Sequence, residues 1–117
     1  MISSALSAAS NKLLVLAILS RREKSYGYEI IQLVRAASDD QLEWKDGMLY
    51  PVLHRMEKEA LIASSWGLSE SGRKRKYYRI LPKGRSALEA EYKDWLSVHQ
   101  TILALWKPST ELGLSPS

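Results

Sequence analysis

The stretch WKDGMLYPVLHRMEKEAL, residues 44–61, decides how the rest of the chain is organised. Apolar residues recur in it at the spacing of one helical face: Leu49, Val52, Leu53, Met56 and Ala60. The remaining sides carry hydrogen-bonding and basic groups: Gly47, Tyr50, Pro51, His54, Arg55 and Lys58. This pattern fits an ordinary amphipathic helix and also a helix that enters the major groove of DNA, so the surrounding sequence has to decide between them.

The composition predicts one folded domain. With 117 residues, 45% hydrophobic and 26% charged, the chain can bury a real core. Because it contains no cysteine, disulfides, thiolate metal sites and cysteine nucleophiles are excluded. The longest apolar run, Leu13–Leu19, is too short to span a membrane, and no signal peptide pattern precedes it. We therefore expect a cytoplasmic protein that makes no membrane contact.

Positive charge is concentrated in one segment. The net charge is +4, but residues 67–85 contain seven basic residues and a single acid, Glu70, a local charge of +6. A strongly basic segment on a slightly acidic body indicates a polyanionic partner. The alternative is a solvated turn rich in lysine and arginine.

The first two helices follow from apolar periodicity and capping residues. A buried first helix is predicted over residues 11–22, with Ser10 or Asn11 as its cap. Residues 1–10 form either a frayed lead or the beginning of that helix. Ser25 is the candidate N-cap of a second helix that ends near Ala37.

The third helix and a hairpin come next. Asp46 can cap the third helix, and we expect an irregular first turn because Pro51 lacks an N–H group. Residues 61–66 and 75–81 are predicted to be strands, with a long basic tip at residues 67–74 between them.

A long last helix is predicted over residues 82–107, beginning at Pro82. Its apolar side chains follow a heptad spacing along roughly 37 Å: Leu88, Tyr92, Trp95, His99, Ile102 and Trp106. We expect this seam to form a dimer interface; the alternative is a helix folded back on helix one. Residues 108–117 are expected to be a disordered tail.

Three helices followed by a basic hairpin predict a mainly α, α+β fold, a winged helix-turn-helix over residues 1–81. In this fold the third helix reads bases and the hairpin lies along phosphates of double-stranded DNA. Arg55 could read guanine, contact a phosphate or pair with Glu59. The candidate DNA-binding residues are Lys45, Met48, Tyr50, His54, Arg55, Lys58, Arg73, Lys74, Arg75 and Lys76.

Several motifs together resemble the PadR family of bacterial transcriptional regulators. They are Tyr26-Gly27-Tyr28-Glu29-Ile30, Gly47-x-Leu49-Tyr50-Pro51-x-Leu53-x-Arg55-Met56-Glu57, Leu61-Ile62, Trp66 and Arg73-Lys74-Arg75-Lys76-Tyr77-Tyr78-Arg79. The resemblance covers about residues 10–106. The single, short C-terminal helix is similar to that of the smaller subfamily that includes LmrR.

The resemblance implies a homodimeric repressor, often released from DNA by a small aromatic or drug-like effector. In LmrR-like members a tryptophan of the fourth helix lines a central pore, and Trp95 matches that position. Val15, Trp95 and His99 are accordingly the candidate effector-binding residues, although Trp95 could equally be a dimer-core residue. The chain departs from the family at Met48, where Thr or Ser commonly precedes Leu-Tyr-Pro.

An enzyme is not expected. His54 and His99 lie on separate predicted helices, and neither has a serine or an acid at a catalytic spacing. No phosphate-binding glycine loop and no metal-ligand cluster is present. We therefore predict no catalytic residue, metal or cofactor. The alternative function is a winged helix that binds another protein, which would not need the +6 segment.

Overall fold

The computed structural model describes residues 1–106, which form four helices and three strands. In chain order they are α1 (Ser4–Ser20), β1 (Ser25–Tyr26), α2 (Gly27–Ala37), α3 (Asp46–Lys58), β2 (Ile62–Leu68), β3 (Lys74–Ile80) and α4 (Pro82–Leu105). The strands form one antiparallel sheet in the order β1-β3-β2. The predicted α+β fold, with three helices, a hairpin and a long last helix, is confirmed. The predictions for Lys107 and for a disordered tail at residues 108–117 lie outside the described residues.

A single core lies between α1, α2, α3 and the inner side of the hairpin. Four of the five apolar residues predicted for the α3 face are buried in it. Its buried hydrophobic members are Val15, Leu16, Leu19, Ile30, Val34, Leu42, Trp44, Leu49, Val52, Leu53, Met56, Leu61, Ile62 and Tyr78.

The N-terminal lead is part of the first helix. α1 begins at Ser4, and the Ser3 hydroxyl accepts a hydrogen bond from the Leu6 N–H at 3.2 Å. A serine in this position satisfies an N–H group that has no partner within the helix. The predicted caps Ser10 and Asn11 are therefore wrong.

Two other predicted caps have different roles. Ser25 is fully buried in β1, where its hydroxyl donates to the Glu29 carboxylate. Asp46 is the first residue of α3 rather than its cap, and the capping position is occupied by Lys45 without a side-chain hydrogen bond. The predicted end of α2 at Ala37 is confirmed.

α3 is helical through Pro51, so the predicted irregular turn is absent. The helix ends before Ala60, which is exposed and adopts a left-handed φ of 60°. The N–H groups of Ala60 and Leu61 donate to the carbonyls of Glu57 and Met56, both at 3.0 Å. These two bonds form a Schellman motif, which reverses the chain into β2.

The hairpin is longer and its turn is tighter than predicted. β2 and β3 pair as far as Leu68 opposite Lys74, leaving residues 69–73 as the turn. The Ser69 N–H donates to the Arg73 carbonyl at 2.8 Å, and Gly72 adopts a φ of 81° that favours glycine. We call β2, the turn and β3, residues 62–80, the wing.

α4 begins against the core and then leaves it. Gly84 is its buried residue, and Ala87 and Leu88 are partly buried against the core. α4 also packs along α1. Beyond Leu88 most of its side chains are exposed. The alternative prediction, a helix folded back on helix one, thus describes only the first part of α4.

Candidate nucleic-acid interface

The outward side of α3 is held in place by a glycine on α2. A Cβ atom at Gly27 would lie 3.1 Å from the hydroxyl oxygen of Tyr50, so the tyrosine crosses directly over the start of α2. Tyr50 is 48% exposed despite this contact. The close packing of the two helices therefore fixes the direction of an aromatic side chain that still reaches solvent.

A cleft of about 410 Å³ separates α3 and the start of α2 from the wing. We call it the wing–helix cleft. Three large aromatic side chains in it are exposed: Tyr28, Tyr50 and Trp66. Its remaining lining is Tyr26, Gly27 and the cationic run Arg73–Lys76. Aromatic faces interleaved with cations are typical of surfaces that contact nucleic acid.

The cationic run is divided between the two faces of the wing. Lys74 and Lys76 stand opposite Leu68 and Trp66 on β2, whereas Arg75 points to the other face. The Lys74 ammonium lies 5.1 Å from the centre of the Trp66 ring, and Lys76 lies 5.8 Å from that of Tyr78. The aromatic faces offset part of the repulsion between neighbouring cations.

His54 lies on the wing side of α3. It lines a second hollow with Tyr50, Glu57, Lys76 and Tyr78, continuous with the wing–helix cleft through Tyr50 and Lys76. Lys45, at the start of α3, is exposed. Tyr50 thus lies beside the wing cations, and His54 lies beside Lys76.

Three other predicted contacts are placed elsewhere. Met48 is half-buried against the core, and the Asn11 amide donates to its sulfur at 3.9 Å. Arg55 faces the α1 side of α3, in a hollow with Lys12 and Glu59, and makes no ion pair with Glu59 in the described part of the chain. Lys58 is at the opposite end of α3 from Lys45, roughly 20 Å away along the helix.

A partly buried hydrogen bond and a buried tyrosine join α3 to the wing. The Ser64 hydroxyl on β2 donates to the Glu57 carboxylate on α3. Tyr78 is 3% exposed beside them. Burial, with added contributions from Tyr50 and Glu57, raises the pKa of Tyr78 to about 12. Tyr78 is therefore a packing residue at the base of the wing.

The predicted effector and dimer residues lie along α4, except for Val15 and for Trp106, which follows the helix as its C-cap. Trp95 and His99 are stacked with ring centres 5.4 Å apart and an interplanar angle of 12°. An open, apolar groove of about 640 Å³ runs between α4 and α1, and Trp95, Tyr92 and Leu88 line its α4 side. Val15, in contrast, has 0% exposure in the core and does not line the groove.

Sequence and structure comparisons identify this arrangement. The pattern of the Transcriptional regulator PadR-like family matches residues 15–90, which include α2, α3 and the whole wing. The chain belongs to this family. PadR regulators bind DNA and are commonly dimers, and the described residues form the DNA-binding winged-helix fold of the family.

Two solved structures of transcriptional regulators and one further regulator are similar to this chain. A transcriptional regulator from Clostridium thermocellum is similar with a TM-score of 0.81 and 31% identity, over 92% of this chain and 100% of its own. A PadR-like transcriptional regulator from Bacillus cereus has a TM-score of 0.78 and 33% identity, over 91% and 100%. The transcriptional regulator Rv3488 of Mycobacterium tuberculosis is 48% identical over 57 residues, 49% of this chain and 52% of its own.

The structure adds two candidate interface residues that are absent from the sequence-based set. Tyr28 and Trp66 line the wing–helix cleft, but in the sequence they stand only within the family motifs. Strand alternation could have placed Trp66 beside Lys74 and Lys76.

None of the helices within residues 1–106 combines the length and the hydropathy needed to cross a membrane.

Proposed function

We propose that this PadR protein is a sequence-specific, homodimeric transcriptional repressor of the smaller, LmrR-like type, acting on double-stranded DNA in the cytoplasm. The observation that carries the proposal is the wing–helix cleft, where the solvent-facing end of α3 and the wing cations converge. A duplex placed there would receive α3 in its major groove, with the wing along an adjacent phosphate strand.

We assign graded roles to the side chains around the cleft. In this proposal Tyr50 and His54 contact base edges, and Lys45, which is exposed at the start of α3, contacts a phosphate. Lys74, Lys76 and Arg73 supply phosphate contacts, which position the protein without reading sequence. Met48 and Arg55 contribute less, because one packs against the core and the other faces α1.

Salt-dependent DNA binding tests this proposal. We expect a gel-shift titration to show tight binding to the promoter of the protein's own gene and weak binding to a random duplex. The slope of log affinity against log salt is negative, and each lost phosphate contact makes it shallower by about 1. The double variant Lys74→Gln, Lys76→Gln should therefore make it shallower by about 2, whereas Lys93→Gln on α4 should not change it. Equal affinity for both duplexes would contradict sequence-specific regulation and favour a protein-binding module.

Self-association along α4 would supply the second half-site. Tyr92, Trp95, Ile102 and Trp106 are about half exposed in the single chain, although large apolar side chains of this kind are normally covered in the functional state. A two-fold dimer would present two copies of α3 to successive major grooves, about 34 Å apart.

Analytical ultracentrifugation measures this association. Trp95→Glu with Ile102→Glu should convert dimers to monomers, because buried unpaired charges oppose association. Ser97→Glu, on the exposed side opposite the heptad seam, is the matched control and should remain dimeric. An intact dimer in the seam variant would remove α4 from the interface.

The stacked Trp95–His99 pair also supports an aromatic effector. The Trp95 ring borders the apolar groove and His99 stacks on it, so a planar molecule could extend the stack and alter how two copies pack. Planar aromatic cations should quench tryptophan fluorescence and weaken DNA binding. Trp95→Ala should lose most of the quenching while it retains DNA binding. A varied panel that leaves wild-type fluorescence unchanged would contradict the effector role.

A further inference from the structure

Arg75 differs from the other cations of the wing in what it touches. Its guanidinium carbon lies 4.1 Å from the centre of the Tyr26 ring, the shortest of the four cation–aromatic distances in the described residues. Arg75 and Lys76 are half-buried, whereas Arg73 and Lys74 are exposed. A planar guanidinium can stack flat on an aromatic ring, which an ammonium group cannot do.

Tyr26 is itself packed against the wing. It pairs with Tyr77 across β1 and β3, and the two rings meet edge to face with centres 5.8 Å apart. The Lys24 ammonium lies 4.5 Å from the centre of the Tyr77 ring. On the far side, a Cβ atom at Gly67 would lie 3.0 Å from Tyr77, so β2 passes closely against that ring. We call Arg75, Tyr26, Tyr77 and Gly67 the outer ladder; it contacts all three strands.

The outer ladder joins the wing to the start of α2, against which Tyr50 of α3 packs. β1 ends at Tyr26 and α2 begins at the next residue, Gly27, over which Tyr50 packs. β1 pairs with β3 only at Tyr77 and Tyr78, so the outer part of the wing has no third strand beside it. A two-stranded hairpin is only marginally rigid by itself. The Arg75–Tyr26 stack lies just beyond the last β1 pair, where it can hold that outer part.

We propose that Arg75 is a positioning residue: by stacking on Tyr26 it fixes the wing relative to α3, and its main role is not that of a phosphate contact. The inference rests on the proposed DNA binding. It means that the run Arg73–Lys76 contains three cations available to DNA and one that sets the geometry of the cleft. Lysine at position 75 would keep the charge but lose the planar stack.

A double-mutant cycle on DNA affinity tests the inference. Arg75→Lys and Tyr26→Leu should each weaken binding to the promoter duplex by about 3- to 10-fold, and the double variant should lose little more. The salt slope should stay at the wild-type value in Arg75→Lys. Tyr26→Phe should bind like the wild type because it retains the ring. Arg79→Lys, the same change at an exposed residue of β3 that does not line the cleft, is the matched control and should also bind like the wild type.

A measurement without DNA separates this inference from the proposed function. In the free protein, the ring current of Tyr26 should shift the Arg75 side-chain proton resonances upfield, and Tyr26→Leu should abolish the shift while Tyr26→Phe retains it. Unshifted resonances, wild-type affinity in Arg75→Lys, or additive losses in the cycle would overturn the positioning role. A wild-type protein that shows the shift but does not prefer the promoter duplex would instead overturn the proposed function.

Discussion

The body of the molecule, which consists of α1, α2, α3 and the wing, and its last helix, α4, use apolar residues in opposite ways. α3 buries four of its 13 residues, which cover one complete face, whereas α4 buries only Gly84 among 24 residues. Large apolar side chains are nevertheless frequent on α4, where Tyr92, Trp95 and Ile102 are 54%, 47% and 48% exposed. The apolar face of α3 is therefore covered within one chain, whereas the large apolar side chains of α4 are not.

This difference separates the residues that form the core from those that a second copy would cover in the proposed dimer. The core of α1, α2, α3 and the wing base sets the shape of the wing–helix cleft, and contacts within one chain suffice for it. The exposed side of α4 contributes little to folding but is suited to covering by a second copy. α1 takes part in both, because its inner residues are in the core and its outer residues, such as Leu6 and Leu13, line the groove beside α4.

The junction between the two regions should be the most sensitive position. A Cβ atom at Gly84 would lie 2.1 Å from the Leu61 carbonyl oxygen, which already accepts the Leu81 N–H. Gly84→Ala should therefore lower the free energy of unfolding by roughly 5 kcal/mol, since the obstacle is backbone. Gly47→Ala, with nothing near its Cβ, is the matched control and should raise it by up to about 1 kcal/mol. Chemical denaturation measures both, and equal behaviour would contradict the close approach.

A pair of truncations tests the division itself. Leu53→Ala removes a fully buried side chain from α3 and should cost about 3 kcal/mol at any protein concentration. Ile102→Ala removes a half-exposed side chain from α4 and should leave unfolding at high dilution unchanged, while the midpoint at high concentration falls. Urea titrations at two concentrations distinguish the two. A concentration-independent loss in Ile102→Ala would show that α4 belongs to the body.

Periodic features were predictable from the sequence because they involve many residues. The α3 face, the hairpin and the start of α4 at Pro82 all follow from the spacing of apolar residues and from the positions of turn-forming residues and proline. The two-residue strand β1 is too short to show a period. The sequence therefore could not predict this strand, or that Ser25 is a buried strand residue rather than a helix cap. The α1 start at Ser4 was obscured because its first residues are small and polar.

The candidate site was predictable as a set of residue types but not as a surface. The composition identifies Arg73–Lys76 as cationic. Only the structure shows that Arg75 contacts Tyr26 on one face of the sheet, whereas Lys74 and Lys76 lie on the other face with Leu68 and Trp66. Met48 is a candidate because it occupies the position before Leu-Tyr-Pro where the family commonly has Thr or Ser, although its side chain packs inward. The family resemblance makes Val15 a candidate effector contact, but its side chain is fully buried in the core.

Alkaline pH should destabilise the body selectively through Tyr78. Because its folded pKa is raised to about 12, above its ordinary value near 10, the neutral form stabilises the folded state. This stabilisation is complete below pH 10 and is lost as the pH rises towards 12, by about 2 kcal/mol in total. Tyr78→Phe should flatten that part of the stability profile, and Tyr77→Phe should not. The loss should be the same at low and high protein concentration; a dependence on concentration would implicate α4 instead.

The smallest effect concerns the backbone at the end of α3. Ala60 holds a left-handed φ of 60° in the Schellman motif, although glycine adopts this conformation without steric cost. Its side chain is exposed, so Ala60→Gly removes strain without removing packing. We expect the free energy of unfolding to rise by up to about 1 kcal/mol, after the greater flexibility of glycine in the unfolded chain is subtracted. The gain should appear at every protein concentration and leave dimer dissociation unchanged, because Ala60 belongs to the body. Ala63→Gly, in β2, is the control and should lower stability instead. If Ala60→Gly also lowered it, the left-handed turn would not be the conformation of the folded chain.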